Sequence, residues 1–199
     1  MAYSLLIKNC GQLLTMKGIA PKRGREMADL GLIKDAFVAC DGDKISGVGR
    51  MKDLQKVKFA GQISGKTRII DAGGKVVMPG LIDCHTHAVF AGNRAQEFKL
   101  RQAGKSYLDI LAGGGGILTT VKATRKVTEA ELLEKTLAEL EGFLRFGVTT
   151  VEIKTGYGLD MKTELKMLAV IEKAGKRQPV KLVSTFLGAH AVPVEFRDE

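Results

Sequence analysis

The sequence contains little cysteine, and the three cysteines that it has form no recognisable pattern. Cys10, Cys40 and Cys84 are odd in number and include no CxxC pair. A disulfide framework needs paired cysteines, and thiolate zinc sites use closely spaced pairs. We therefore predict three reduced thiols, with neither a disulfide framework nor a cysteine-based zinc site.

Long apolar runs are also absent. No continuous segment approaches the roughly 20 residues that cross a bilayer, and Met1–Lys8 lacks the basic and apolar regions of a signal peptide. The 199 residues, 45% of them hydrophobic, are enough for a buried core in one or two domains. These features predict a folded, cytoplasmic protein with no membrane partner.

Acidic residues are fewer than basic ones, which gives a formal net charge of +9. Residues 1–70 hold 13 basic and 6 acidic side chains, whereas residues 71–199 hold 18 and 16. Nucleic-acid binding needs clustered cations, which single-strand binders interleave with aromatics, and no such motif occurs. A solvated basic surface and no nucleic-acid partner are expected.

The first part of the chain has the pattern of a small β-sheet. Short β-like runs alternate with turn residues at 4–9, 36–40, 44–49, 68–71 and 75–78. Asp41-Gly42-Asp43 predicts a hairpin turn, because glycine tolerates positive φ. Residues 18–34 lack periodicity and predict a loop, with a helical turn near 26–30.

Helices and strands alternate after residue 80. Strands are predicted at 80–85, 148–153 and 180–186, and helices near 119–125, after Thr128 and over 160–174. Thr128 and Glu131 form a capping-box pattern. Apolar residues spaced by three or four predict the buried helix faces: Leu133, Leu137, Leu140 and Leu144 in one helix, Leu165, Leu168 and Ile171 in the next.

This alternation is typical of βαβ units and a parallel sheet. A closed (β/α)₈ barrel needs eight strands and typically ~250 residues, but only 120 residues follow position 79. The sequence therefore predicts the front part of a barrel.

The three histidines, His85, His87 and His190, each follow or end a predicted parallel strand. Barrel enzymes place their active sites at this edge. In an extended strand His85 and His87 would face the same side, and neutral imidazole is a common metal ligand. A metal is therefore predicted at this pair. His190 could be a third ligand, a substrate contact or a helix cap, and Asp83 could be a ligand or could orient one.

Other residues near these strand ends allow more than one role. Arg94 could bind a carboxylate through its planar guanidinium, or could be a surface arginine. Tyr157, between two glycines, could face substrate or solvent. Gly113–Gly116 lacks the lysine of a phosphate-binding loop, so a flexible segment is expected there.

Several segments resemble one family. Residues 77–87, Val-Met-Pro-Gly-Leu-Ile-Asp-Cys-His-Thr-His, resemble the first-strand signature of the metal-dependent amidohydrolase superfamily. Residues 90–98, 113–117, 147–159 and 184–193 narrow the resemblance to imidazolonepropionases. The resemblance implies an α/β fold. Residues 79–199 would form the front part of an amidohydrolase (β/α)₈ TIM barrel, and residues 1–78 the N-terminal part of a composite β-sandwich domain.

The resemblance also implies an activity, the hydrolysis of 4-imidazolone-5-propanoate to N-formimidoyl-L-glutamate in histidine degradation. His85 and His87 match ligands of Zn²⁺ or Fe. Residues matching contacts to the small anionic substrate are Arg94, Tyr107, Tyr157 and His190, of which His190 would also be catalytic, as a donor to the oxyanion. The remaining metal ligands would lie in later strands, so this chain is expected to be a fragment without strong activity. The full-length protein could form a homodimer.

Two alternative functions stay open from the sequence. The chain could come from another amidohydrolase, such as a nucleobase deaminase. It could also be a non-catalytic half-barrel that binds a partner or polyanion through its basic N-terminal part.

Overall fold

The computed structural model of the protein describes residues 2–56, 59 and 61–196. They form two compact units, Met1–Pro79 and Gly80–Glu199. No helix within the described residues combines the length and the apolar character needed to cross a membrane. Each unit is described by itself below.

The first unit is built on a sheet of five strands. They are β1 (Leu5–Leu14), β2 (Leu32–Asp41), β3 (Lys44–Arg50), β4 (Arg68–Asp71) and β5 (Val76–Val77). The strand order is β3-β2-β1-β4, and β5 pairs with the second half of β1. The pairs β1–β2 and β2–β3 are antiparallel, whereas β4 and β5 run parallel to β1. Short 3₁₀ turns occur at Gly24–Ala28 and Met51–Asp53.

The predicted hairpin and all five predicted strands are present, but the first strand is longer than predicted. β2 and β3 meet at the predicted turn, where Gly42 has φ +61°. A bulge between Ile7 and Cys10 interrupts the pairing of β1 with β2, which then resumes as far as Leu14 and Leu32. β2 therefore begins inside the segment predicted as loop.

The first unit buries apolar side chains on both faces of β2. Phe37 and Ala39 belong to one buried cluster, and Ala36 and Val38 belong to another. Successive residues of a strand point to opposite faces, so the sheet is covered on both faces at β2.

The second unit has a three-stranded parallel sheet, five α-helices and a 3₁₀ turn at Val194–Phe196 within the described residues. The strands are β6 (Leu81–Thr86), β7 (Val148–Lys154) and β8 (Lys181–Thr185), in the order β6-β7-β8. The helices are α1 (Ala95–Gln102), α2 (Tyr107–Ala112), α3 (Ile117–Lys126), α4 (Glu129–Arg145) and α5 (Met161–Gly175). The predicted mixed α/β fold with parallel strands is confirmed.

Helices α1 and α2 were not predicted. Helix α1 buries none of its residues, and Phe98 is 63% exposed. A helix without a buried face leaves no apolar stripe in the sequence. Helix α2 has only six residues, which is too short for a clear period.

The predicted buried face of α4 is confirmed in part, since Leu140 is buried and Leu133 and Leu137 pack against the core, but its centre is shifted by one residue. The capping box of Thr128 and Glu131 is present, and the helix ends before Gly147. The fully buried positions are Leu132, Thr136 and Leu140, whereas Leu144 is exposed. Thr136 can face the core because its hydroxyl donates to the Leu132 carbonyl, 2.7 Å away.

The prediction for α5 is also confirmed only in part, since Ile171 is buried and Leu168 packs against the core. Met167, Val170, Ile171 and Ala174 are buried, whereas Leu165 is 54% exposed. The inward-facing residue in the first turn is Glu164, and positions three, seven and ten residues later share its side of the helix. A charged residue therefore lies in line with the apolar stripe.

One face of the parallel sheet is covered and the other is open within the described part of the chain. Val151 and Ile153 of β7 are fully buried in a cluster with side chains of α4 and α5. By contrast Ile82, Val183 and Phe186 are 70%, 45% and 58% exposed. Among the described residues, β6 and β8 each pair with one neighbour only, β7.

Candidate active site

The three histidines lie together at the carboxyl edge of the parallel sheet. His87 and His190 stack with ring centroids 4.7 Å apart and planes 9° apart. The His85 and His87 centroids are 6.1 Å apart, and these rings are inclined by 71°. The parallel direction of β6 and β8 brings together residues separated by more than 100 positions in the chain.

The backbone of β6 is irregular where the first two histidines lie. Its pairing with β7 shifts between Asp83 and Thr86, and the Asp83 carboxylate accepts a hydrogen bond from the His85 backbone N–H over 3.2 Å. His85 is exposed, and His87, just beyond the strand, is half-buried. The irregular pairing means that simple strand alternation does not fix the directions of the two side chains.

His87 has the properties of a neutral ligand. Burial is the main cause that lowers the pKa of His87, and the charges of His190, His85 and Lys154 lower it further. A hydrogen bond with the Thr155 backbone acts in the opposite direction but is outweighed. Within the described residues its buried Nδ1 atom has no hydrogen-bond partner. Metals bind imidazole in its neutral form, so this side chain suits a metal ligand.

The two histidines would by themselves supply only part of a metal site. Catalytic zinc usually takes three protein ligands, and the described residues contain no group of three or more His, Cys, Asp or Glu side chains able to hold an ion. Lys154, at the end of β7, forms an ion pair with Glu152.

Tyr157 extends the ring cluster. Its ring centroid lies 4.8 Å from that of His87 and 5.6 Å from that of His190. Phe90 makes an edge contact with it at 6.4 Å, and the Lys135 ammonium lies 3.4 Å from the centroid of the Phe90 ring. These contacts form an aromatic wall next to the histidines.

Arg94 faces the same wall from the first residue before α1. Its Cζ lies 5.9 Å from the Tyr157 centroid, and its Nε donates to Oγ1 of Thr120 over 3.0 Å. Arg94 and Tyr157 line a cavity of about 340 Å³, together with His87, Phe90, Asn93 and Thr120. The cavity thus combines a cation, aromatic rings and an imidazole.

Tyr107 lies apart from this cavity. It begins α2, is 52% exposed and is not among the lining residues. The second unit therefore brings together His85, His87, Arg94, Tyr157 and His190 of the predicted site residues, but not Tyr107.

The orientation of His190 is fixed by a backbone carbonyl. Its Nδ1 lies 3.1 Å from the Gly156 oxygen. A carbonyl oxygen only accepts, so Nδ1 carries the proton and Nε2 of the neutral ring is an acceptor. Donation from Nε2, the role expected from the sequence, would therefore need the imidazolium form of His190.

Sequence reasoning missed two residues that hold this site, Thr120 and Glu164, and one that fixes a neighbouring segment, Glu97. Thr120 orients Arg94, Glu97 accepts from Gly116 N–H and from the Thr119 hydroxyl, and Glu164 binds the backbone around Tyr157. The bonds of Glu97 fix the end of the glycine segment that was expected to be flexible. The glycines flanking Tyr157 and an acid in the next helix could have indicated Glu164, whereas Thr120 left no signal.

Comparison with protein families gives a match in the region of the first two histidines. Residues 68–130 match the amidohydrolase family. The matched segment includes β6, α1, α2 and α3, and therefore His85, His87 and Arg94.

Relatives named imidazolonepropionase match the chain over its whole length. The protein of Alkaliphilus metalliredigens is 49% identical over 200 residues, which cover 100% of this chain and 46% of that protein. The protein of Bacillus velezensis is 48% identical over 97% of this chain and 44% of its own length. The chain spans about half the length of the curated relatives it matches. The resemblance inferred from the sequence motifs is confirmed.

Solved structures share the fold at low sequence identity. Guanine deaminase of E. coli has a TM-score of 0.58 at 16% identity, covering 92% of this chain and 35% of that one. A variant of atrazine chlorohydrolase from Arthrobacter aurescens, in complex with zinc and atraton, has a TM-score of 0.50 at 21% identity and covers 91% and 35%. The chain thus shares an α/β fold with these enzymes.

Proposed function

We propose that this chain, similar to imidazolonepropionases along its whole length, carries the first part of a hydrolase active site for 4-imidazolone-5-propanoate. The product would be N-formimidoyl-L-glutamate, in cytoplasmic histidine degradation. The observation that supports this best is the cavity in which Arg94 faces Tyr157 and His87. It offers one cation for a carboxylate next to rings that suit a planar heterocycle.

The fold supports an incomplete barrel. A (β/α)₈ barrel repeats a unit of one parallel strand followed by one helix, and this sheet has three such parallel strands with helices packed on one face. The open face and edges of this sheet are the surfaces that the remaining strands would cover. The first unit would contribute to a composite β-sandwich domain.

His85 and His87 would hold a divalent metal, Zn²⁺ or Fe. The buried, unpartnered Nδ1 of His87 and its lowered pKa fit a ligand role. When bound, such an ion lowers the pKa of a coordinated water to about 7 and so supplies a nucleophile at neutral pH. The other ligands would come from residues beyond this chain.

Arg94 would bind the propanoate group of the substrate. Its Nε is occupied by Thr120, so the carboxylate would meet the two terminal nitrogens end-on. Bidentate pairs of this kind are strong and directional. They would fix the distance between the carboxylate and the ring to be opened.

Tyr157 and His190 would hold the imidazolone ring. The flat faces of the ring cluster suit offset stacking with a planar heterocycle. Nε2 of neutral His190 would accept a hydrogen bond from a ring N–H of the substrate. Donation to an oxyanion would require the imidazolium form.

The proposal can be tested in a hybrid enzyme in which this chain replaces the matching residues of the Alkaliphilus metalliredigens imidazolonepropionase. We expect hydrolysis of imidazolonepropionate. His87→Ala should remove bound metal, measured by elemental analysis, whereas Cys84→Ala should retain it. Arg94→Ala should raise KM for the propanoate substrate. The assignment would be contradicted if Arg94→Ala had the same KM as the unaltered hybrid. It would also be contradicted if the hybrid deaminated guanine instead of hydrolysing imidazolonepropionate.

A further inference from the structure

Glu164 is a buried carboxylate whose bonds all go to one loop. It is 2% exposed, in the first turn of α5. Its Oε1 accepts from the N–H groups of Gly158 and Leu159 over 2.7 and 2.9 Å, and its Oε2 accepts from Gly156 N–H over 2.9 Å. A buried charge is costly unless it is hydrogen-bonded, and here three backbone donors satisfy it.

The loop that Glu164 binds carries Tyr157. We call Thr155–Leu159 the anchored loop. Leu159 has φ +53°, a left-handed conformation that is uncommon for a residue with a side chain and persists only where the surroundings impose it. The bond from Leu159 N–H to Glu164 is one such restraint.

The anchored loop also contacts His190. The Gly156 carbonyl faces Nδ1 of His190, and a Cβ on Gly156 would lie 2.7 Å from Cβ of His190. The Thr155 hydroxyl accepts from Leu187 N–H over 2.9 Å. Any displacement of Gly156 would therefore change the bond that sets the tautomer of His190.

We propose that Glu164 is a positioning residue for this site. By binding three N–H groups of the anchored loop, it holds the Tyr157 ring beside His87 and keeps the Gly156 carbonyl on Nδ1 of His190. Its importance for turnover rests on the substrate-contacting roles proposed for Tyr157 and His190. The carboxylate itself touches the loop rather than the cavity.

The first test measures hydrogen exchange of backbone amides in the 199-residue chain. Glu164→Gln removes the charge and places amide hydrogens near the loop donors, so exchange at Gly156, Gly158 and Leu159 should accelerate on the order of tenfold or more. Amides in the second half of α5 should keep their protection. Glu172→Gln is the matched control on the same helix, since the Glu172 side chain is 69% exposed, and it should change nothing in the loop.

The second test follows His190 by ¹⁵N NMR of the imidazole. The Nδ1–H tautomer should dominate in the unaltered chain and in Glu172→Gln, and should become mixed in Glu164→Gln. A purely structural role would lower stability without moving this signal. If Glu164→Gln does not fold, Glu164→Asp keeps the charge on a shorter side chain and should show the same changes in part. Unchanged loop exchange with an unchanged tautomer overturns the proposal.

Turnover in the hybrid enzyme separates this inference from the proposed function. Glu164→Gln should lower kcat on the order of tenfold, with metal content unchanged and partial recovery in Glu164→Asp. Full turnover in Glu164→Gln with an undisturbed loop refutes positioning and leaves the function intact. A loosened loop and mixed tautomer in a hybrid that never hydrolyses imidazolonepropionate refute the function and leave the anchoring intact.

Discussion

Nε of Arg94 and Oγ1 of Thr120 are 3.0 Å apart, with Thr120 only 5% exposed at the inner side of the cavity. A hydroxyl that is buried behind an arginine fixes the plane of the guanidinium without neutralising its charge. The charge thus remains available to a ligand. The turn before α1 supplies the charge through Arg94, and the body of α3 supplies its orientation through Thr120.

Thr120→Val should weaken substrate binding in the hybrid enzyme. The replacement keeps the shape of the side chain and removes the acceptor for Arg94. A hydrogen bond to a charged group contributes about 1.5–3 kcal/mol, so KM should rise roughly tenfold or more with a smaller effect on kcat. Thr119→Val is the matched control, because Thr119 binds Glu97 instead. An equal rise in KM for both variants would count against a specific role for Thr120.

Gly156→Ala and Gly142→Ala should have opposite effects on stability. A Cβ at Gly156 would lie 2.8 Å from Nδ1 of His190 and from the Leu187 oxygen, at φ +105°, so we expect a loss of about 1–3 kcal/mol. A Cβ at Gly142, within α4, meets nothing within 4 Å, so the helix should gain about 0.5–1 kcal/mol. Urea unfolding measures both. If Gly156→Ala were as stable as the unaltered chain, the loop of Gly156 and the segment of Leu187 and His190 would be less closely packed than these distances indicate.

Asp160→Asn should reduce stability at neutral pH but not in acid. Burial opposes ionisation of Asp160, but hydrogen bonds from Thr163 and the charges of Arg125 and Lys166 outweigh it and lower the pKa. A lowered folded pKa means that the stabilisation is present above the unfolded value, about 3.9, and is lost as the pH falls through the folded value.

Asparagine is as good an N-cap as aspartate, so this substitution tests the charge while keeping the start of α5. Unfolding free energies of the unaltered chain and the variant should converge below about pH 4. A constant difference from pH 7 to pH 3 would show that the ionised carboxylate makes no contribution.

Lys166→Met should destabilise the end of α3. The Lys166 ammonium donates to the carbonyl oxygens of Thr124 and Val127, each 2.8 Å away, and so satisfies groups that a helix end leaves unpaired. Loss of these bonds should cost about 1–3 kcal/mol. Lys162→Met is the control, because Lys162 lies at an exposed position of α5, the helix that carries Lys166. Equal unfolding midpoints for the two variants would contradict the capping role.

Sequence signals predicted the features that depend on neighbouring residues or on the direction of the strands. The turn at Gly42, the cap at Thr128 and the convergence of His87 with His190 follow from turn preferences, capping and strand direction. The buried faces of α4 and α5 followed only in part, since spacing gives a period but not which residue lies at the centre of the face that meets the sheet. Thr120 binds Arg94 from 26 positions away, and no pattern near it in the sequence indicates this partner.

The open margins of the parallel sheet bear on how the chain behaves in solution. Unpaired strand edges beside exposed apolar side chains accept further strands from other molecules. The apparent molecular mass of the 199-residue chain, measured by light scattering, should therefore rise with concentration, and charged replacements at Ile82 or Val183 should suppress this rise. The surface that would complete an enzyme is the same surface that would drive aggregation when left uncovered.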